Sequence, residues 1–150
     1  MKHATVLPAL VLGLLFMPFA ALAEDRVEKL DDTEIHYNAM YTADMAPEVA
    51  KAYHLKRGEG RGVLTISVLR KNASGVLQSE AANVTAYAAN LNGQLVGITL
   101  RELREGAAIY YLGEFRMNPP VTLRFHITAK PRGIEAHSFQ FEQSFYPSEP

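Results

Sequence analysis

Apolar and polar positions alternate along most of the chain after residue 33. In the segment 34–41, Ile35 and Tyr37 alternate with polar neighbours, which is the period of two expected of a strand with one buried face. The alternation therefore predicts a strand whose odd-numbered side chains enter the core. Its even-numbered side chains, which include His36, Asn38 and Met40, are expected to face outward.

Six further segments have the length and composition of strands, and turn residues separate them. They are 63–70, 84–91, 94–103, 107–117, 121–130 and 134–146. The dipeptide Asn92-Gly93 is the strongest hairpin signal among the turns. About seven such strands predict an all-β fold, an antiparallel β-sandwich of immunoglobulin-like character. A closed lipocalin-like barrel is the alternative, and it needs about eight strands of comparable length.

One segment, 47–53, has the pattern of a helix. A proline opens it, where a missing N–H costs nothing, and apolar residues recur at helical spacing. The residues on this apolar side are Val49, Ala50 and Tyr53. The pattern predicts one short helix that packs on the sheet near Ile66 or Val68.

The first 23 residues have the features of a signal peptide. Lys2 and His3 precede an almost wholly apolar run, and small residues at 21 and 23 suit a signal peptidase. We expect cleavage after Ala23, which leaves one β-sandwich domain over residues 24–150. No second apolar run follows, so the mature chain is expected to be soluble, periplasmic or secreted, and without a membrane anchor.

Composition argues against several classes of function. Removal of residues 1–23 takes away one lysine and no acid, so 14 basic and 16 acidic side chains remain and the formal charge is −2. That balance disfavours binding to nucleic acid, which needs a basic surface. The chain has no cysteine, which excludes disulfides, thiolate metal ligands and a cysteine nucleophile.

Three segments resemble a known family. They are the Tyr37-Asn38 strand, the Pro-Glu-Val-Ala-Lys-Ala-Tyr helix from Pro47 to Tyr53, and the apolar strand from Val63 to Leu69. Together they resemble a domain-of-unknown-function family of small exported proteins from gammaproteobacteria, over most of the mature chain. The resemblance implies export and the fold, and it implies no activity.

Nucleophilic catalysis has little support in the sequence. All four aspartates lie before residue 47, so a Ser-His-Asp relay would need the N-terminal third to orient a distant histidine. No Gly-x-Ser-x-Gly elbow occurs either. We therefore expect no enzymatic activity, no catalytic residue and no cofactor.

Metal binding is the sharper chemical alternative. Imidazole and thioether side chains together suit copper, and imidazole suits zinc, but no two histidines have ligand spacing in the sequence. A site would have to form across strands. His36 and His126 are the candidate ligands, because each lies on the polar side of its predicted strand.

The remaining hypothesis is a non-catalytic binding module that contacts another protein of the cell envelope. Tyr110 and Tyr111 are adjacent, so one of them must face away from the core. An exposed tyrosine is a common interface residue. The candidate contact residues are His36, Asn38, Met40 and Tyr110. The mature protein is expected to be a monomer or a weak dimer.

Overall fold

A computed structural model describes residues 26–147 of the chain. The predicted signal peptide and the predicted mature start at Glu24 lie outside the described residues. The helical elements are a 3₁₀ turn at Thr42–Asp44 and α1 at Pro47–Ala52. The strands are β1 Val27–Leu30, β2 Thr33–Tyr41, β3 Arg61–Lys71, β4 Leu77–Ser79, β5 Ala82–Asn90, β6 Leu95–Ile98, β7 Arg101–Glu105, β8 Ala108–Arg116, β9 Val121–Pro131 and β10 His137–Phe145. No helix in this part of the chain is long and apolar enough to cross a membrane.

The strands form two antiparallel sheets. The first sheet has the order β1-β2-β3-β8-β7, and β4 also pairs with β3; the second has the order β10-β9-β5-β6. Buried side chains from both sheets form one apolar cluster. The prediction of an antiparallel β-sandwich is confirmed, with ten strands in the described residues in place of about seven.

The segment 94–103 was predicted as one strand, and the structure divides it into two. β6 ends at Ile98 in the second sheet and β7 begins at Arg101 in the first. The crossing chain packs against Gly113 on β8, where a Cβ atom would collide with the side chains of Ile98 and Leu100. Glycine at this position therefore allows the chain to change sheets while remaining packed on the core.

The main core lies between the sheets and is rich in aromatic rings. The Phe125 ring is fully buried, stacks on Phe141 at a centroid distance of 4.9 Å, and meets the edge of Phe115 at 5.2 Å. Tyr37 on β2 packs on Phe141 and Phe139 from the other sheet. The odd-numbered residues of β2 therefore enter the core, as the alternation predicts.

The helix packs elsewhere than expected. Ala50 is buried with Leu55, Val63 and Leu112 in a second apolar cluster. Val63 and Leu112 point away from the main core, so α1 covers the outer face of the first sheet, and its packing near Ile66 or Val68 was predicted wrongly. The prediction that Val49 is buried is also wrong, since it is 40% exposed. Helical spacing identified the element, but it could not identify the sheet face.

Polar side chains close one long side of the sandwich, where β1 lies over β10. Oε1 of Glu28 accepts a 2.9 Å hydrogen bond from Nε2 of His137. The Arg26 guanidinium donates to the side-chain oxygen of Gln143 and lies over the Phe141 ring. These contacts join residues far apart in the sequence, so they connect the first described strand to the last.

Candidate functional site

Three of the four predicted contact residues share one surface. His36 on β2 lies opposite Ser67 on β3, and Asn38 lies opposite Thr65. On the neighbouring strand β8, Tyr111 pairs with Ile66 of β3. Tyr110 therefore lies beside Ser67, in the same row as His36. Tyr110 is 36% exposed. The structure therefore brings His36, Asn38 and Tyr110 to the uncovered part of the outer face of the first sheet.

Met40, the fourth predicted contact residue, lies under the helix segment. Its side chain packs against the second apolar cluster, together with Tyr53. The Tyr53 hydroxyl donates a 2.8 Å hydrogen bond to Oε1 of Glu105. This bond, aided by burial, raises the pKa of Tyr53 above its usual value. Met40 therefore helps to seat the helix on the sheet.

The outer face also brings an acid, an imidazole and a hydroxyl close together. Nε2 of His36 lies 2.9 Å from Oε2 of Glu34, and Ser67 occupies the position opposite His36. Within residues 26–147, however, Ser67 makes no hydrogen bond to His36. The order acid, imidazole, hydroxyl is that of a catalytic triad, but the hydrogen bond from Ser67 to His36 that would activate the serine is not formed.

The structure does not bring His36 and His126 together. His126 lies on the outer face of the second sheet, where its ring stacks on Tyr87 at 4.6 Å. His36 faces outward from the first sheet, on the other side of the core. Two such side chains cannot bind the same ion within one chain. Within the described residues, no group of three or more His, Asp or Glu side chains could hold a metal.

The hairpin turn predicted at Asn92-Gly93 joins β5 to β6 and is held by side-chain hydrogen bonds. The side-chain oxygen of Asn90 accepts hydrogen bonds from the backbone N–H groups of Asn92 and Gln94, at 3.0 and 2.9 Å. Gly93 has a φ of +81°, which this tight turn requires. The turn projects two leucines into solvent, and Leu91 is 69% and Leu95 75% exposed.

These leucines border a groove of about 880 Å³ at one end of the sandwich. It lies between the β5–β6 turn and the connection from β8 to β9, and we call it the loop-end groove. Its apolar lining residues are Leu91, Leu95, Val96, Met117, Pro120, Val121 and Leu123. Arg116 is the one charged residue of the lining. Its guanidinium makes no ion pair or hydrogen bond with any other residue of the described part.

The sequence did contain a signal for this site. Leucines stand directly before Asn92 and directly after Gln94, although turn tips are normally polar. The groove itself was beyond sequence reasoning, because it depends on the relative position of two connections that are separated by three strands, β6, β7 and β8. Single exposed apolar residues are common on protein surfaces, whereas two beside a groove mark a candidate binding site.

Comparison with known proteins adds family and fold. Curated proteins gave no match. A crystal structure of a DUF4426 family protein from Pseudomonas aeruginosa PAO1 is similar, with 30% identity and a TM-score of 0.69, over 82% of this chain and 95% of that chain. The model of the DUF4426 family, a domain of unknown function, matches residues 27–148. This confirms the resemblance to a domain-of-unknown-function family, and the chain belongs to the DUF4426 family.

Proposed function

We propose that the chain is exported to the periplasm and acts there as a non-catalytic binding module for another envelope protein. The observation that carries this proposal is the exposure of Leu91 and Leu95 on a hydrogen-bonded turn beside the loop-end groove. A rigid turn loses little conformational entropy when a partner binds, so the burial of its side chains contributes more fully to affinity.

The groove favours a particular kind of partner segment. Full burial of one leucine side chain stabilises a complex by about 1.5–3 kcal/mol. An apolar segment that covers both Leu91 and Leu95 would therefore bind more tightly than one that covers a single leucine. Arg116 adds a positive charge to an otherwise uncharged lining. An apolar segment with an acidic residue beside it would match both features, because opposite charges across an interface help to set its orientation.

Two features of the outer face support a non-catalytic role. Ser67 lacks a hydrogen bond to His36 in the described part of the chain, and a serine needs such a base to become a nucleophile. The surface around Ser67 lies on a sheet face, whereas a catalytic site normally lies in a cleft that excludes water. The half-buried Ser67 hydroxyl and the His36 imidazole are better suited to polar contacts with a partner.

The export part of the proposal predicts a defined mature protein. In periplasmic extracts, the chain is expected to begin at Glu24, because Ala21 and Ala23 provide the small residues that signal peptidase needs. Intact-mass spectrometry would measure this product directly. A periplasmic form that retains residues 1–23 would contradict the cleavage, and accumulation of the protein in the cytoplasm would contradict export.

The binding part can be tested by photocrosslinking, since the chain has no cysteine and one introduced thiol takes a single label. A photoreactive group on the Leu95→Cys variant is expected to give one discrete adduct with an envelope protein. The matched control is Val76→Cys, because Val76 is also exposed and apolar, at 56%, but it lies outside the groove lining. That variant is expected to give no such adduct.

A second substitution links the adduct to the groove. Leu91→Ser should remove the Leu95 adduct while the free energy of unfolding changes by no more than about 0.5 kcal/mol, as is usual for exposed positions. Equal crosslinking from positions 76 and 95, or an adduct that survives the Leu91→Ser change, would show that the groove is not the binding surface.

A further inference from the structure

The outer edge of β10 is a second surface that the fold leaves open. β10 pairs with β9 through all nine residues from His137 to Phe145. Within residues 26–147, no strand pairs with its other edge. An unpaired edge presents a row of backbone donors and acceptors, and it can pair with a strand from another chain.

The other strands that end the two sheets, β1, β6 and β7, are short, and β7 is also highly charged, whereas β10 is neither. β1 and β6 each have four residues, and β7 has five, of which four are charged. Short strands and charged side chains are the usual means by which proteins block pairing at an edge. β10 has nine residues, no proline, no glycine and no lysine or arginine. β10 therefore lacks the features that normally prevent an edge strand from pairing with another chain.

We propose that β10 pairs with β10 of a second copy of this chain, about a two-fold axis at Phe141. This pairing would join the two four-stranded sheets into one continuous sheet of eight strands. It uses the edge of the second sheet and is independent of the loop-end groove. The axis at Phe141 is chosen because this residue is the midpoint of the strand, so it is the arrangement that pairs all nine residues.

The side chains of β10 are complementary to themselves in this register. On the outer face, Gln140 meets Glu142 of the second copy, and Ser138 meets Ser144, so each pair can form hydrogen bonds. Glu142 is the one acidic residue of the strand, and the axis keeps the two copies of it apart. Cross-strand partners of this kind stabilise a pairing, whereas like charges directly opposite each other would weaken it.

The inner face is consistent with the same register. An axis at a residue places odd-numbered positions opposite odd-numbered positions, so the core-facing side chains of both copies stay on one side of the joined sheet. Phe141 then lies opposite Phe141, and its ring is only partly buried in one chain. The polar pairs between β1 and β10, such as Glu28 with His137, also lie on the inner face of the joined sheet.

Charge substitutions at Gln140 give a test with opposite expected results. Gln140→Glu would place two symmetry-related pairs of carboxylates opposite each other, and the dissociation constant of the dimer is expected to rise about tenfold. Gln140→Lys would pair each lysine with Glu142, and the dissociation constant is expected to fall about tenfold. Analytical ultracentrifugation of the mature protein over a range of concentrations measures both changes.

Thr85 provides the matched control. It is exposed on β5, two strands from the β10 edge of the same sheet. Thr85→Glu and Thr85→Lys change the net charge by the same amounts as the variants at Gln140. They are expected to leave the dissociation constant unchanged, and an equal response at both positions would overturn the proposal.

Introduced cysteines test the register, because the chain has none of its own. A mixture of the Ser138→Cys and Ser144→Cys proteins is expected to form a disulfide-linked dimer on mild oxidation. Either protein alone should not, because the two copies of position 138 would lie six residues apart along the strands, about 20 Å. Crosslinking of Ser138→Cys to itself would overturn the axis at Phe141. A protein that stays monomeric up to about 1 mM, or that crosslinks at β10 only to other proteins, would overturn the second copy as the partner.

Discussion

Replacement of Phe125 with alanine is expected to lower the free energy of unfolding by about 4 kcal/mol. The ring is fully buried and contacts rings on both sides, since it stacks on Phe141 and meets the edge of Phe115. Its removal would leave a cavity between the two sheets. The cavity cannot collapse, because backbone hydrogen bonds hold the strands of each sheet in place. A urea titration should show a lower midpoint with an unchanged slope.

Tyr87→Ala is the matched control for that measurement. Tyr87 lies on β5 of the same sheet, but it faces outward and is 47% exposed. Its ring contacts His126 on the surface, so its loss is expected to cost no more than about 1 kcal/mol. Similar losses for the two variants would contradict the position of the core between the sheets.

The second large effect is expected at Gly62. A Cβ atom at this position would overlap three carbon atoms of the Phe115 ring. The ring cannot move away freely, because it also packs on Phe125 and Phe145. Gly62→Ala is therefore expected to destabilise the protein by about 3 kcal/mol, the upper part of the usual range for overpacked cores. Thermal or urea unfolding of the purified variant would measure the loss.

The same substitution at Gly97 should have the opposite sign. Gly97 lies in β6, and nothing lies within 4 Å of the Cβ atom that alanine would add. Glycine in a strand costs roughly 0.5–1 kcal/mol relative to alanine, because the unfolded chain has more freedom to lose. Gly97→Ala is thus expected to be neutral or slightly stabilising. Equal destabilisation at both glycines would mean that close packing at Phe115 is not the cause.

The sequence predicted the long strands well, because each carries a local signal. The segment 34–41 became Thr33–Tyr41, and the segment 121–130 became Val121–Pro131. Alternation also predicted correctly which side chains of β2 enter the core. The helix at Pro47–Ala52 was identified from its spacing as well. These properties depend on neighbours within a few residues, which a single sequence shows directly.

The errors concern relations between distant segments. Nothing local to the segment 94–103 shows that Gly113 makes room for the chain to change sheets. Likewise, each of His36 and His126 was placed correctly on the polar side of its strand, but their faces belong to opposite sheets. The residues of the candidate surface around Tyr110 were identified one by one, and the loop-end groove was not identified at all.

The side-chain contacts between β1 and β10 have a consequence for the rate of folding. The contacts that close this side join Glu28 to His137 and Arg26 to Gln143, residues 109 and 117 positions apart. Non-local contacts of this kind slow folding, because the chain must lose loop entropy before they form; all-β sandwiches typically fold in milliseconds to seconds. If the chain crosses the membrane N-terminus first, the contacts between β1 and β10 can form only after the C-terminal strand has crossed. Until then, chaperones that bind unfolded chains have time to act.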